Sequence, residues 1–279
     1  MKRRAGVLAL ALLAGVSCTD LPSDPNTPFS VEFRPAASPS VVLGDEMRDS
    51  LGNVAPLQAI AFNVKGDTIR GAPVRYYLAR NAADTLPPPV TVDSITGLVT
   101  ASSAPTDATR SFRVYAQVGG LQSVAETLYV TRRPDLMKKV DSVVTLRLRF
   151  LPSDSLTTTP AVSVRLLHAT DGIAGDTVVP HYRVRFRIVS PASAATDTSY
   201  VMLTAGGGRR SEVDTTDATG LASRQLRVRQ SLFPLGKPVA PGDSLIRDTI
   251  TVEARAYYRN GQVAGSPASL LVILTGRPR

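Results

Sequence analysis

The chain has one cysteine, no tryptophan and two histidines in 279 residues, and beyond its first twenty positions no long apolar run. A single thiol excludes an intrachain disulfide and any metal or redox centre built on paired cysteines. Two histidines, His168 and His181, fall short of the three or four ligands that zinc requires. We read both as exposed loop residues beside turns and expect neither a metal nor a cofactor. No Gly-x-Ser-x-Gly elbow is present, and with it goes the strand-to-helix mount of a hydrolase serine. Helical periodicity is missing too: from Phe29 onward no ten-residue stretch repeats apolar side chains at i, i+3, i+4 and i+7. Gly206-Gly207-Gly208-Arg209-Arg210 lacks the Lys-Ser/Thr and helix of a phosphate cradle and reads as a hairpin tip.

What the chain does have begins with a leader. Lys2, Arg3 and Arg4 precede an apolar run at residues 5–16, and Cys18 follows directly. That run suits a secretory signal, whose apolar core is about 7–15 residues, and is too short for a spanning helix of about 20. Gly15-Val16-Ser17-Cys18 resembles the box at which lipoprotein signal peptidase cleaves once the thiol is diacylated, with Gly15 where an aliphatic residue is usual. The resemblance implies that residues 1–17 are removed, that Cys18 is lipidated, and that the protein is exported and anchored, at the outer membrane or cell surface. Residues 18–28, with Pro22, Pro25 and Pro28, read as a tether. The net charge of +9 falls by three, to +6, when the leader leaves. Lysine then remains only at Lys65, Lys138, Lys139 and Lys237, so the basic excess is arginine.

Period-two alternation recurs throughout the remainder: Ile60, Phe62, Val64; Phe112, Val114, Ala116, Val118; Leu146, Leu148, Phe150; Val184, Phe186, Ile188; Leu226, Val228; Ile250, Val252, Ala254, Ala256. Successive side chains of a strand point to opposite faces, so each run buries one face and turns the intervening Arg and Thr to water. This is the pattern of antiparallel sheets with one buried face. Gly52-Asn53, Lys65-Gly66-Asp67, Thr96-Gly97, Gly119-Gly120, Asp171-Gly172, Thr219-Gly220 and Asn260-Gly261 supply turns between them. Arg132-Arg133-Pro134-Asp135, followed by Lys138-Lys139, breaks the pattern, because proline cannot continue a ladder. The reading is all-β: two tandem immunoglobulin-like antiparallel sandwiches at 29–131 and 140–279, joined by a linker at 132–139. Long loops are expected at 204–216 and 230–248.

Two motifs carry a family resemblance. Val92-Asp93-Ser94-Ile95-Thr96-Gly97-Leu98-Val99-Thr100-Ala101, with Val42-Leu43-Gly44-Asp45 and Leu51-Gly52-Asn53 upstream, resembles the bacterial Ig-like repeat of intimin-like adhesins. That family's strand-C tryptophan is absent, and Tyr76-Tyr77 are available to fill its space. Thr215-Thr216-Asp217-Ala218-Thr219-Gly220-Leu221-Ala222-Ser223, with Gly175-Asp176 before it and residues 248–254 after it, resembles invasin-type Ig-like domains. Both families are scaffolds for adhesion, spacing and display, and a scaffold does not transfer a function.

The leading expectation is therefore a non-enzymatic, lipid-anchored cell-envelope protein for adhesion, display or envelope architecture. The alternative is a module that binds an acidic glycan or other anionic polymer through sandwich-end loops or an arginine-rich sheet face. Its residues are Arg183, Arg185 and Arg187 with Arg147 and Arg149, and Arg224, Arg227 and Arg229 form a further row. A solvated sheet face explains the same rows, since charge discourages edge-to-edge pairing. Asp171, Asp176, Asp214, Asp217 and Asp243 show no regular calcium loop, and aspartate in turns bonds its own backbone. The partners expected are the membrane, through the lipid, and an envelope or surface protein or anionic polysaccharide, with no specific nucleic acid.

Overall fold

A computed structural model describes residues 24–80, 86–149, 156–169, 177–196, 200–206, 208–230 and 246–277. The leader, Cys18, Phe150, Asp171, Gly172, Gly175, Asp176, Gly207, Lys237 and Asp243 lie outside the described residues.

The buried apolar side chains gather in two clusters, each between two layers of sheet. In the first sandwich, one layer orders its strands as Ser40–Val42, Glu126–Thr131, Ser111–Val118 and Arg75–Ala79. The other layer pairs Ser30–Phe33 with Ala59–Phe62 and Val90–Val92 with Val99–Ala101. Phe112, Val114, Ala116 and Val118 are all buried between them, so the alternation seen in the sequence holds on this strand. In the second sandwich, Leu136–Lys139, Val162–His168, Leu221–Arg229 and Leu156–Thr158 form one layer, with Thr177–Val178 and Val201–Thr204 on its flanks. Facing it, the strand order is Val143–Arg149, Ala268–Arg277, Ile246–Arg255, Arg183–Ser190 and Val213–Thr215. Val184, Phe186, Ile250, Val252 and Ala254 fill the space between, each worth about 1.5–3 kcal/mol if its side chain is large.

The structure departs from the sequence reading in three places. First, not every pair is antiparallel: Ser40–Val42 runs parallel to Glu126–Thr131, and Val143–Arg149 runs parallel to Ala268–Arg277. In each sandwich the second strand lies beside the last and runs parallel to it, while the first strand pairs antiparallel in the opposite layer. Second, Leu136–Lys139 are not linker but a strand against Val162–His168, held by burial of Met137. Third, on Ala59–Phe62 the buried residue is Ala61, and Ile60, Phe62 and Val64 are only half-buried. Asn63 is turned inward in phase with Ala61, where its Oδ1 accepts the Lys65 and Asp67 N–H groups at 2.9 Å each. That turn sets the phase of the strand before it.

In both family motifs an aspartate side chain organises its own turn, the first turn being one residue longer than the second. Asp93 Oδ1 accepts the Ile95 and Thr96 N–H groups at 2.8 Å, and Asp217 Oδ1 accepts those of Thr219 and Leu221 at 2.8 and 3.0 Å. Gly97 closes the first with φ +74°, where a Cβ would stand 2.8 Å from the Leu57 carbonyl oxygen. Beside it Tyr76 is buried, edge-on to Phe33 at 6.3 Å, whereas Tyr77 points outward.

Candidate functional site at the joint between the sandwiches

Four residues, 132–135, separate the last strand of the first sandwich from the first strand of the second. So short a connection forces contact, and the two ends interlock on two sides. On the first side, the Thr131 hydroxyl donates to the Pro180 carbonyl at 2.8 Å, and the Ser40 hydroxyl donates to the His181 carbonyl at 2.6 Å. The His181 ring stacks on Tyr129, centroids 3.7 Å apart and planes 5° from parallel. Arg183 reaches across to donate to the Ala36 carbonyl at 3.0 Å, and its burial lowers its pKa. Val42, from the first sandwich, packs into the apolar cluster of the second.

The second side centres on Asp45, only 5% exposed. Arg48 binds its carboxylate with two bonds of 3.0 Å and also donates to the Gly52 carbonyl at 3.1 Å. Arg259, from the second sandwich, donates to the same carboxylate at 3.2 Å while lying over the Tyr258 ring. Such charge-assisted, bidentate bonds are the stronger class of hydrogen bond. Gly52 approaches so closely that a Cβ there would stand 1.9 Å from the Arg259 carbonyl oxygen. Between the two sides lies a cavity of about 10 Å³ bordered by Ser38, Glu46, Arg48 and Tyr182, room for about one water. The joint is closed rather than a ligand cleft.

Burial pushes the Asp45 carboxyl upward, but the bonds from Arg48, the Glu46 N–H and Arg259 outweigh it and bring its pKa from 3.8 to about 2. A depressed carboxylate pKa stabilises the joint fully above 3.8, and that contribution is lost as pH falls toward 2. The joint is therefore expected to loosen on acidification across that window. In Asp45→Asn, the dependence of inter-sandwich distance on pH between 4 and 2 should disappear; a variant with the parent's acid response would place the titrating group elsewhere.

The structure corrects the reading of the histidines. His181 is half-buried within the joint, with φ +59°, and burial lowers its pKa. The His168 Nδ1 lies 2.7 Å from an Asp135 carboxylate oxygen, beside the same connection. Among the described residues, no three His, Cys, Asp or Glu side chains converge as a metal site would need. Asp214 is engaged by Arg224 at 2.7 Å and Asp217 by its own turn.

The arginine rows take distinct places. Arg183, Arg185 and Arg187 do share one strand face, in antiphase with buried Val184 and Phe186. Arg187 bonds Glu253 at 2.6 Å, and Arg255 bonds the same carboxylate at 2.9 Å. Arg147 is exposed and stands opposite Thr275, which stands opposite Arg247; Arg149 lies on the same strand, its side chain outside the described residues. Because Arg187 aligns with Glu253 on the strand that carries Arg247, the two rows are about 20 Å apart along it and three strand spacings of about 4.8 Å across. Arg224 does not belong with Arg227 and Arg229: it is 6% exposed, in phase with Ala222 and Leu226, and tied to Asp214 and the Ser211 and Val213 carbonyls.

Neither a family profile nor a curated protein matches the chain by sequence. Solved structures similar to it include human protocadherin-24 EC1-2, at 14% identity over 90% of this chain and 99% of that one, with a TM-score of 0.25. The Yersinia pseudotuberculosis adhesin InvE matches at 13% identity over 88% of this chain, TM-score 0.27, and the Escherichia coli adhesin FdeC at 14% over 87%, TM-score 0.25. The chain spans 58% of the InvE chain and 63% of the FdeC chain.

Asp45, Arg48, Gly52 and Arg259 were not singled out as functional by sequence. Asp45 and Arg259 are 214 positions apart, and no local pattern pairs them.

Proposed function

We propose that the chain is an exported, lipid-anchored and non-enzymatic envelope protein whose two sandwiches form a stiff stalk for adhesion or display. The observation that carries this reading is the doubly latched joint, which resists bending where a tandem array most easily bends. A tether at residues 18–28 sets the stalk off the membrane, and the short connection transmits its orientation. Among the described residues no helix is long and apolar enough to cross a membrane, and the anchor in this reading is the lipid on Cys18.

Stiffness is directly measurable on the full chain in detergent. With Cys18 blocked by its lipid, spin labels go only to introduced cysteines, at exposed Gln122 in the first sandwich and exposed Ser269 in the second. Pulsed dipolar spectroscopy should return one narrow distance distribution; a broad or multiple distribution would refute the stalk. Cells lacking the protein should adhere less well to their surface, and unchanged adherence would refute the adhesion role.

A further inference from the structure

The outward face of the first sandwich's four-stranded layer serves the joint at one end, through Tyr129 and Thr131, and its part on the strands Ser111–Val118 and Arg75–Ala79 makes no contact with the second sandwich that the joint uses. Ser111–Val118 buries its even-numbered residues, which turns Arg113, Tyr115 and Gln117 outward. On the edge strand Arg75–Ala79, Tyr76 is buried and Arg75 and Tyr77 are exposed. The register sets Tyr77 opposite Tyr115, Arg75 opposite Gln117 and Ala79 opposite Arg113. The two tyrosine rings stack, centroids 5.5 Å apart at 27°, and Tyr77 is 38% exposed. Arg75 and Arg113 flank the pair on opposite sides, about 14 Å apart along the strands.

The strands of this face carry arginine without acid, and the nearby carboxylate that senses Arg75 is that of Asp93 in the adjoining turn. Glu126 faces inward in phase with Leu128 and accepts the Ala36 N–H, and no outward position of these strands carries a carboxylate. This differs from the second sandwich, where Glu253 stands between Arg187 and Arg255. Arg75 also borders a shallow groove of about 420 Å³ lined by Pro73, Val74 and Ile95, with Ile95 68% exposed.

We propose that this face binds a carboxylated polysaccharide, with Tyr77 and Tyr115 as the platform for a sugar ring and Arg75 and Arg113 receiving uronate carboxylates. The π-face of tyrosine is electronegative and suits the C–H face of a pyranose. Guanidinium binds carboxylate bidentately. A single-stranded nucleic acid fits less well, because it needs a series of aromatic faces along the strand, and this face presents one stacked pair, Tyr129 being covered by His181. The inference rests on the adhesion reading and names its ligand class.

The test uses the full chain in detergent against polygalacturonate, alginate and hyaluronate, with dextran and oligothymidylate as comparisons. Wild-type protein should bind at least one uronate, more weakly as salt rises. Arg75→Ser with Arg113→Ser should lose about tenfold or more in affinity, as should Tyr77→Ser with Tyr115→Ser. The paired Tyr→Phe variant should stay within about twofold, and Arg185→Ser with Arg187→Ser should bind as wild type. Thermal melting of each variant separates lost binding from lost fold, since a cross-strand aromatic pair also stabilises its sheet. Failure of all three uronates to bind, equal binding of dextran or oligothymidylate, or full affinity in Arg75→Ser/Arg113→Ser each overturns the proposal. Refusal of every uronate by a protein whose deletion still abolishes adherence removes this ligand and leaves the adhesion reading standing.

Discussion

Replacing Gly52 with valine should uncouple the two sandwiches while leaving both folded. The new Cβ would meet the Arg259 carbonyl oxygen at 1.9 Å, well inside any tolerable contact. Backbone opposes backbone there, so no rotamer relieves the clash, and one end of the joint must move away from the other. Displacement then takes with it the Arg48 bond to the Gly52 carbonyl and the Arg259 bond to Asp45. A second penalty is local: Gly52 has φ +89°, a conformation that costs a β-branched residue about 1–3 kcal/mol. Gly66 separates the two effects, because its φ is +83° and nothing lies within 4 Å of its would-be Cβ. Gly66→Val should be less stable yet keep the narrow inter-sandwich distance, whereas Gly52→Val should broaden it severalfold, with unchanged far-ultraviolet circular dichroism. A narrow distribution in Gly52→Val, or equal broadening in Gly66→Val, would refute the latch.

Replacing Cys18 with serine should abolish acylation altogether. One acyl chain holds a protein to a membrane only marginally, with an association constant of about 10⁴ M⁻¹, and durable anchoring requires two or more. A diacylated and N-acylated cysteine meets that requirement, and serine offers no thiol for the thioether. The uncleaved leader of the variant keeps its own apolar run at residues 5–16, so membrane retention by itself does not discriminate. Incorporation of an alkynyl palmitate and the mass of the N-terminal peptide do. Both should show complete loss of lipid in Cys18→Ser, and the melting transitions should be unchanged, because the contacts of both cores begin beyond the tether, at Val31. Palmitate incorporation equal to the parent's would end the lipoprotein reading.

Much of the fold was legible because strand alternation is local. Phe112 to Val118 and Ile250 to Ala256 each bury every second residue, and a period of two needs no knowledge of the rest of the chain. The reading failed where a neighbour outside the strand set its phase. Asn63 faces inward because its side chain organises the following turn, which carries Ala61 in and leaves Ile60 and Phe62 half-buried. Arg224 lies in the buried phase, where an arginine is not expected, and is tolerated because Asp214, three carbonyls and the Ser211 hydroxyl satisfy it. The candidate joint was the least legible part. His181 looked like a loop residue because nothing nearby in sequence announces Tyr129 as its stacking partner.

By itself, the sequence determined that the described residues are almost wholly β, where most of their turns fall, and that Cys18 is the residue through which any thiol-linked anchor must pass, because composition, alternation and a single thiol are properties of neighbours along the chain. Only the tertiary structure decided which arginines are spoken for, that the second and last strands of each sandwich run parallel, and that Asp45 binds an arginine 214 positions away. Those outcomes depend on which surfaces the fold brings together, and sequence distance carries no record of that.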